Sequence, residues 1–249
     1  LQNDGIQSGE KINVTVPTGI FGNILAAYYA KQMGVPINKL ICASNENKVL
    51  FDFFRTGTYD KNREFVLTSS PSMDILISSN LERLIYTIAG QDGQKNAELM
   101  DALKSSGAYE ITKEMKAKLD DFVGGYATEE QTAQAIHDTY KRTGYVMDTH
   151  TAVASCVCAQ YREESGDETK CLIASTASPY KFVGSVMRAI DAEYAGRDEF
   201  ELVDELEKLS QVAVPNAVKE IRDAKILHTR ECDADKMKET VKEILEIEV

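Results

Sequence analysis

Asn13-Val14-Thr15-Val16-Pro17-Thr18-Gly19-Ile20-Phe21-Gly22-Asn23-Ile24-Leu25-Ala26-Ala27-Tyr28-Tyr29-Ala30 decides how the rest of the chain is read. It opens on a β-branched run, crosses a turn holding two glycines, and continues as a small, apolar helical pattern. That order is a strand, a tight loop and a helix start. Glycine admits positive φ and lets a ligand approach the backbone. The N–H groups that open a helix have no partner inside it, and the dipole behind them favours an anion. Residues 19–23 therefore read as a phosphate cradle. The same residues also read as a plain glycine turn between a buried strand and a helix. Gly-x-x-Gly is not the Gly-x-Gly-x-x-Gly of dinucleotide sites, and no Gly-Lys-Ser/Thr follows as in a P-loop. The pattern suggests a phosphate without naming its owner.

Outward from this stretch, Gly34 and Pro36 end the first helix. Residues 39–43 read as a buried strand, and Ser44 as the cap of a helix that carries Val49, Leu50, Phe53 and Phe54 and closes at Gly57. Phe65-Val66-Leu67 reads as a short strand, and Ile75, Leu76, Leu81, Leu84, Ile85 and Ile88 as a helix up to Gly90. The composition then turns charged and rich in Ala and Lys, with breaks at Gly107 and Gly124-Gly125 and a capping box at Thr128-x-x-Gln131. A helical insert packed on the edge of the main domain is expected at about residues 91–143, its charge runs being solvated faces. Residues 150–161 form an apolar, Ala-rich helix closed by Gly166. Residues 170–174 form another buried strand, which delivers Ser175-Thr176-Ala177-Ser178-Pro179 at its C-terminal end. Strands alternating with helices indicate an α/β fold with a largely parallel sheet. Ligands of such sheets gather outside the carboxyl ends of the strands, where the loops at Gly19 and Thr176 both lie. From Asp191 the chain is acidic and helical, and its apolar positions, such as Leu202, Leu206, Val241 and Ile244, are expected to cover the domain. The expected organisation is an α/β domain over residues 1–190 and a C-terminal helical segment over 191–249.

Composition narrows the function classes. At 249 residues, 43% hydrophobic and 27% charged, the chain is an ordinary globular protein with enough length for a sizeable core. A net charge of −12 without a basic stripe argues against nucleic acid and anionic membranes as partners. No apolar run reaches membrane-spanning length. Leu1-Gln2-Asn3-Asp4-Gly5 is polar, has no signal-peptide pattern and lacks an initiator Met, so the expectation is a chain cut from something longer. Five cysteines, an odd number without disulfide spacing, fit a reducing, cytoplasmic setting. Cys156-x-Cys158 faces two directions on a helix, with no second Cys or His pair at zinc spacing, which favours buried thiols over metal ligands. No Ser-His-Asp or His-Glu-x-x-His arrangement occurs. His150 opens its Ala-rich helix either as a capping or core histidine or as a catalytic one. Asp74, Ser79, Asn80 and Arg83 fit a substrate cleft or a solvated helix face equally well. A nicotinamide site, which needs an acidic residue ending the second strand, meets Ser44-Asn45 there instead.

Val16-Pro17-Thr18-Gly19-Ile20-Phe21-Gly22-Asn23 resembles the Val-Pro-Ser/Thr-Gly-Asn-Phe-Gly-Asp/Asn loop of threonine synthases, pyridoxal-phosphate enzymes of the tryptophan-synthase-β-like fold. Leu40-Ile41-Cys42-Ala43-Ser44-Asn45-Glu46-Asn47, Ser70-Pro71-Ser72-Met73-Asp74-Ile75, Ser78-Ser79-Asn80-Leu81-Glu82-Arg83, His150-Thr151-Ala152-Val153-Ala154 and Ser175-Thr176-Ala177-Ser178-Pro179 match in the same order, up to about Phe182. The resemblance implies a three-layer parallel-sheet domain binding pyridoxal 5'-phosphate, with Gly19, Ile20, Phe21, Gly22 and Asn23 around the phosphate. It implies Thr176, with Ser175 as the fallback, as the hydroxyl partner of the ring nitrogen; a strand-end Ser or Thr also caps turns for purely structural reasons. It further implies conversion of O-phospho-L-homoserine and water to L-threonine and phosphate. One loop position departs: the family's Asn is Ile20 here. The Schiff-base lysine of the family sits in a Ser-Phe-Lys-Asp-like motif before the glycine loop, and this sequence has no such motif. Lys181 follows the Thr176 motif as a lysine does in the family, without that role. The expectation is the C-terminal portion of a threonine synthase, with no catalytic residue of its own, whose partner is the missing N-terminal part of the same enzyme. The alternative is a non-catalytic remnant or subunit that binds phosphate ligands without chemistry.

Overall fold

The computed structural model describes residues 5–247; of the polar opening, Leu1-Gln2-Asn3-Asp4 lies outside them. In chain order the elements are β1 (Ile12–Pro17), α1 (Gly22–Gln32), β2 (Ile37–Ser44), α2 (Val49–Thr56), β3 (Thr58–Asp60), α3 (Leu81–Ile88), α4 (Gly93–Ser105), β4 (Ala108–Glu110), α5 (Lys113–Ala117) and β5 (Phe122–Tyr126). Then come α6 (Glu129–Thr143), α7 (Thr149–Ser165), β6 (Cys171–Ile173), α8 (Val183–Ile190), α9 (Glu199–Ser210), α10 (Asn216–Arg222) and α11 (Met237–Ile244). Four strands make a parallel sheet in the order β5-β2-β1-β6. β3 and β4 pair antiparallel beside it, with Tyr59 opposite Tyr109 and their rings stacked at 5.4 Å.

The sheet is covered on both faces. Successive strand residues point to opposite sides. In β2, Leu40 and Cys42 join one buried cluster with α1 and α2, while Ile41 and Ala43 join another with Val153, Ala154 and Val157 of α7. The same alternation explains the Gly124-Gly125 pair. A Cβ on Gly124 would lie 3.2 Å from the Phe51 backbone in α2, and one on Gly125 would lie 2.4 Å from Val157 in α7. Helices press on the strand from both sides, and only glycine leaves room for them. These three layers form the α/β architecture expected from the alternating pattern.

Three local readings change. Gly124-Gly125 is the middle of edge strand β5, not a break, so residues 91–143 hold α4, α5 and α6 together with β4 and β5. Phe65-Val66-Leu67 forms no strand. Asn47 uses its side chain as a surrogate backbone there: Val66 N–H donates to Asn47 Oδ1 at 3.0 Å and Asn47 Nδ2 donates to Val66 O at 2.9 Å. Ser44 caps nothing; the residue before α2 is Lys48, in left-handed conformation, and the buried Ser44 hydroxyl has no partner among the described residues. The Thr128/Gln131 capping box forms as the sequence indicates.

The chain divides into two compact units, Leu1–Ala213 and Val214–Val249. The helices expected from Asp191 onward are shared between them. In the first unit, α9 buries Leu202, Val203 and Leu206. The second holds α10 and α11, whose Ile221, Met237, Val241 and Ile244 are exposed. Among the described residues no helix is long and apolar enough to cross a membrane.

Asp167 ties the amino-terminal edge of the sheet to α7. Its carboxylate accepts from Asn13 Nδ2 at 2.9 Å, Asn38 Nδ2 at 3.3 Å and the Tyr161 hydroxyl at 2.8 Å, and from the Thr169 N–H at 2.9 Å. The Thr169 and Asn13 hydrogen bonds, aided by Tyr161, hold its pKa well below the usual carboxylate value. A carboxyl whose folded-state pKa is depressed stabilises the fold above its unfolded pKa, and that stability is lost as pH falls through the folded value. Asp167→Asn is expected to be less stable than the parent at pH 7, with the gap closing below about pH 4, the unfolded Asp range. Urea unfolding midpoints of the two proteins across pH 2–7 check this.

Candidate active site

The loop after β1 and the loop after β6 meet at the carboxyl ends of two adjacent strands. A cavity of about 280 Å³ lies there, lined by residues 16–24 together with Ser72, Met73, His150, Thr176, Ala177 and Lys181. All six of the residues expected around the cofactor, Gly19, Ile20, Phe21, Gly22, Asn23 and Thr176, line it.

The cradle is oriented by what holds its carbonyls. Ser78 Oγ donates to Gly19 O at 2.7 Å. Asn80 donates to Ile20 O twice, from its main-chain N–H at 3.1 Å and from Nδ2 at 2.8 Å. Arg83 fixes that amide by donating to Asn80 Oδ1 at 2.7 Å. None of the N–H groups from Gly19 to Ile24 donates to a protein acceptor among the described residues. The first intrahelical donor of α1 is Leu25, to Phe21 O at 3.3 Å. The helix has no side-chain cap and no acidic residue in its first turn. A helix start left this open is suited to an anion.

Positive φ falls where the sequence did not put it. Gly19 and Gly22 have ordinary φ values, and Phe21 takes the left-handed conformation, φ 66°. For a non-glycine residue this costs roughly 1–2 kcal/mol. Phe21 is 1% exposed, and its ring stacks on Phe54 and lies tilted against Phe122, both with centroids at 5.9 Å. Burying a phenylalanine contributes about 1.5–3 kcal/mol, and ring pairs add about 0.5–1.5 kcal/mol. Burial wins, and the strained turn is clamped from below. Gly19 is a glycine for another reason: a Cβ there would lie 2.6 Å from Ser72 O and 3.2 Å from Met73 Cα.

Ser72 and Met73 belong to a segment held by buried amides. Asn45 Nδ2 reaches Thr68 Oγ1, Ser70 Oγ and Asp74 Oδ1 at 2.9, 3.1 and 2.7 Å. Asp74 also accepts from Asn47 Nδ2 and from the Thr68 N–H and hydroxyl. Asp74 and Asn80 are therefore scaffold for the loop. Ser79 and Arg83 line a separate groove with Tyr28, Glu82 and Tyr86.

The second wall comes from α7. Asp148 caps it, accepting from the N–H groups of His150 and Thr151. The same carboxylate takes the His150 Nδ1 contact at 3.1 Å and the Thr151 hydroxyl. Burial pushes the Asp148 carboxyl up, but the His150 and Thr151 hydrogen bonds outweigh it and hold the group below its usual value. On the other side of the imidazole, the Ser72 N–H donates to Nε2 at 3.3 Å. With Nε2 accepting, Nδ1 carries the proton toward Asp148. His150 thus ties the segment over Gly19 to α7, and Phe182 packs on its ring at 4.8 Å.

Thr176 and Ser175 are separated by their partners. The Ser175 and Thr151 hydroxyl oxygens lie 3.2 Å apart, and Ser175 is not on the cavity lining. The Thr176 side chain lines the cavity and has no hydrogen-bond partner among the described residues. Lys181, without a marked role in the sequence, also lines the cavity, its ammonium 5.3 Å from the Phe182 ring centroid. Ile20 is 54% exposed at the mouth and brings no polar side-chain atom.

The family described as "Threonine synthase, C-terminal" matches residues 151–232. "Threonine synthase-like 1" of Homo sapiens is 46% identical over 187 residues, which is 74% of this chain and 25% of that protein. Threonine synthase of Saccharomyces cerevisiae is 35% identical over 221 residues, 82% of this chain and 43% of the relative. The chain thus spans a quarter to less than half of the length of these curated relatives. Among solved structures, a threonine synthase from Brucella melitensis with PLP bound superposes with a TM-score of 0.71 at 36% identity, covering 84% of this chain and 43% of that one. The yeast threonine synthase structure gives a TM-score of 0.79 at 30% identity over 95% of this chain and 48% of that one.

The two cradle glycines should respond differently to a methyl group. Gly19→Ala drives Cβ into the Ser72 carbonyl and is expected to cost about 1–3 kcal/mol, the range for overpacking. Gly22→Ala meets only Asn80 Nδ2, at 3.6 Å, and should leave stability within about 0.5 kcal/mol. Urea denaturation of both variants checks the contrast.

Proposed function

The chain is of threonine synthase type and corresponds to the C-terminal part of that family, and on that premise we propose that it supplies the phosphate and ring-nitrogen side of a pyridoxal 5'-phosphate site. The observation supporting this reading is one cavity bounded both by the unpaired N–H groups of residues 19–24 and by Thr176. In this reading the N–H groups around Phe21 and the Asn23 side chain donate to the phosphate. Ile20 contributes its main chain alone. Thr176 donates its hydroxyl to a neutral ring nitrogen, because Thr176 lines the cavity and Ser175 does not. Ser72, Met73 and His150 wall the space. The cofactor, when bound, supplies an electron sink for carbanions. The reaction proposed for the complete gene product is conversion of O-phospho-L-homoserine and water to L-threonine and phosphate. No catalytic residue is assigned within these 249 residues, since they hold no Ser-Phe-Lys-Asp-like motif.

A second reading is a non-catalytic relative that binds phosphate compounds without turning them over. Ile20 in the cradle favours it, as does Lys181 standing over an aromatic ring as the one lysine on the cavity lining.

Incubating the complete gene product with pyridoxal 5'-phosphate and O-phosphohomoserine separates the two. The enzyme reading expects threonine and inorganic phosphate in equal amounts. It expects Thr176→Val to lower kcat/KM by about tenfold or more, the scale of one lost hydrogen bond. Cofactor binding without either product supports the second reading. Neither binding nor product contradicts both.

A further inference from the structure

Two titratable side chains line the cavity, His150 and Lys181, and the chemistry proposed above gives neither a task. His150 is 3% exposed, and both nitrogens of its ring are committed. Nδ1 lies 3.1 Å from Asp148 Oδ1, and Nε2 accepts from the Ser72 N–H at 3.3 Å. Asp148 is itself 1% exposed, so its carboxylate stays on the ring and does not turn to water. No backbone carbonyl takes the Ser72 N–H among the described residues, which leaves the imidazole as its partner. Ser72 in turn presses on the cradle, its carbonyl oxygen 2.6 Å from the place a Gly19 Cβ would take. The placement of the Ser72 peptide, and through it of Gly19, rests on an Nε2 that carries no proton.

We propose that neutral His150 is a positioning residue of the cradle, a latch that opens on protonation and lowers the affinity of the loop for a phosphate as pH falls. This rests on the reading of the cavity as a pyridoxal 5'-phosphate site and adds a pH dependence to it. Histidine is the side chain that ordinarily changes charge between about pH 5 and 8. Nδ1 already carries its proton toward a carboxylate, so the second proton goes to Nε2. Both ring nitrogens are then donors, and the Nε2 proton meets the Ser72 N–H head on. A buried donor without an acceptor is costly, so the Ser72 peptide turns away, and the backbone packed on Gly19 moves with it.

The charged groups around His150 decide the sign. On its own helix there is Asp148. The turn Pro179–Phe182, whose Phe182 ring packs on the imidazole at 4.8 Å, brings Lys181. On the Ser72 segment, the Asp74 carboxylate is taken up by Asn45, Asn47 and Thr68. Glu129 holds the Ser69 N–H and hydroxyl, and with Thr149 and Arg188 it lines a separate pocket. The cradle stretch, residues 16–24, has no charged side chain. By charge alone, an imidazolium beside Lys181 would draw a phosphate more strongly in acid. Here the buried Asp148 carboxylate offsets that charge, whereas nothing replaces the lost acceptor of Ser72. Placement outweighs charge, and affinity falls with pH.

The test has two arms. In the first, the ¹⁵N-labelled parent chain is titrated from about pH 8 to 5 without ligand and followed by NMR. The expected result is a His150 ring with its proton on Nδ1 at the alkaline end, and amide signals of Ser72 and Gly19 that move on the same curve as that ring. A proton on Nε2 at the alkaline end, or Ser72 and Gly19 amides that ignore the ring's titration, overturns the proposal. In the second, pyridoxine 5'-phosphate, an unreactive cofactor analogue, is titrated into the parent and into His150→Gln, which keeps an acceptor and has no proton to gain. A phosphate ester takes up its own second proton near about pH 6, equally for both proteins, so the ratio of their affinities is read. It should stay within about twofold at the alkaline end, with the parent about tenfold weaker at the acid end, the scale of one lost hydrogen bond. A ratio that does not change with pH, or a parent that gains affinity in acid, overturns the proposal. Absence of binding to either protein at the alkaline end refutes the cofactor reading instead, and the first arm, which needs neither ligand nor variant, still decides the latch.

Discussion

The Gly19 and Ile20 carbonyls are held on one side of their loop, and the rest of the candidate site follows from that. Ser78 takes the first and Asn80 takes the second twice. A peptide plane whose oxygen is fixed has its N–H fixed as well. Backbone donors that would otherwise need a local partner are left facing the cavity, at the start of a helix whose dipole adds to them. An anion there meets donors already in position, so little reorganisation opposes its binding. The turn that makes this possible is strained at Phe21 and kept by the burial of that same ring. Local conformation and core packing are one problem here.

The sheet supplies the second constraint. β1 and β6 are adjacent and parallel, so the loops that leave them emerge side by side at the same edge. α7 then reaches both. Its first turn carries His150 against Ser72, and Thr151 against Ser175. One hydroxyl of the Ser175-Thr176 pair is thereby occupied and the other left open.

Much of this was legible in the sequence, for reasons that can be stated. The strand, loop and helix over Asn13 to Ala30 concentrate β-branched residues, then glycine, then small apolar residues, and local preference agrees with burial there. Thr176 was legible because an apolar run ends just before it, although the strand that run forms, β6, is only half-buried, with Leu172 exposed, and not the buried strand expected. What escaped were positions where tertiary contact overrules local habit. Gly124-Gly125 resembles a break until helices are placed on both faces of the strand. Phe65-Val66-Leu67 has strand composition, but its backbone partner is the side chain of Asn47, which no periodicity reveals. Phe21 takes the left-handed conformation between two glycines better suited to it, because a buried aromatic cluster holds its ring. Ser72 and Met73 stood in a stretch that matches the family but were given no role, since their place on the cavity depends on how closely their backbone approaches Gly19.

The central claim is that the N–H groups around Phe21 and the Thr176 loop bind one phosphorylated ring together. Titrating the ¹⁵N-labelled chain with pyridoxine 5'-phosphate, whose alcohol cannot react with an amine, tests it directly by two-dimensional NMR. The account predicts that the amide signals of Ile20, Phe21, Gly22 and Asn23 move with that of Thr176 along one saturating curve, while α10 and α11 stay still. Movement of the cradle signals without Thr176, or of neither, would contradict it.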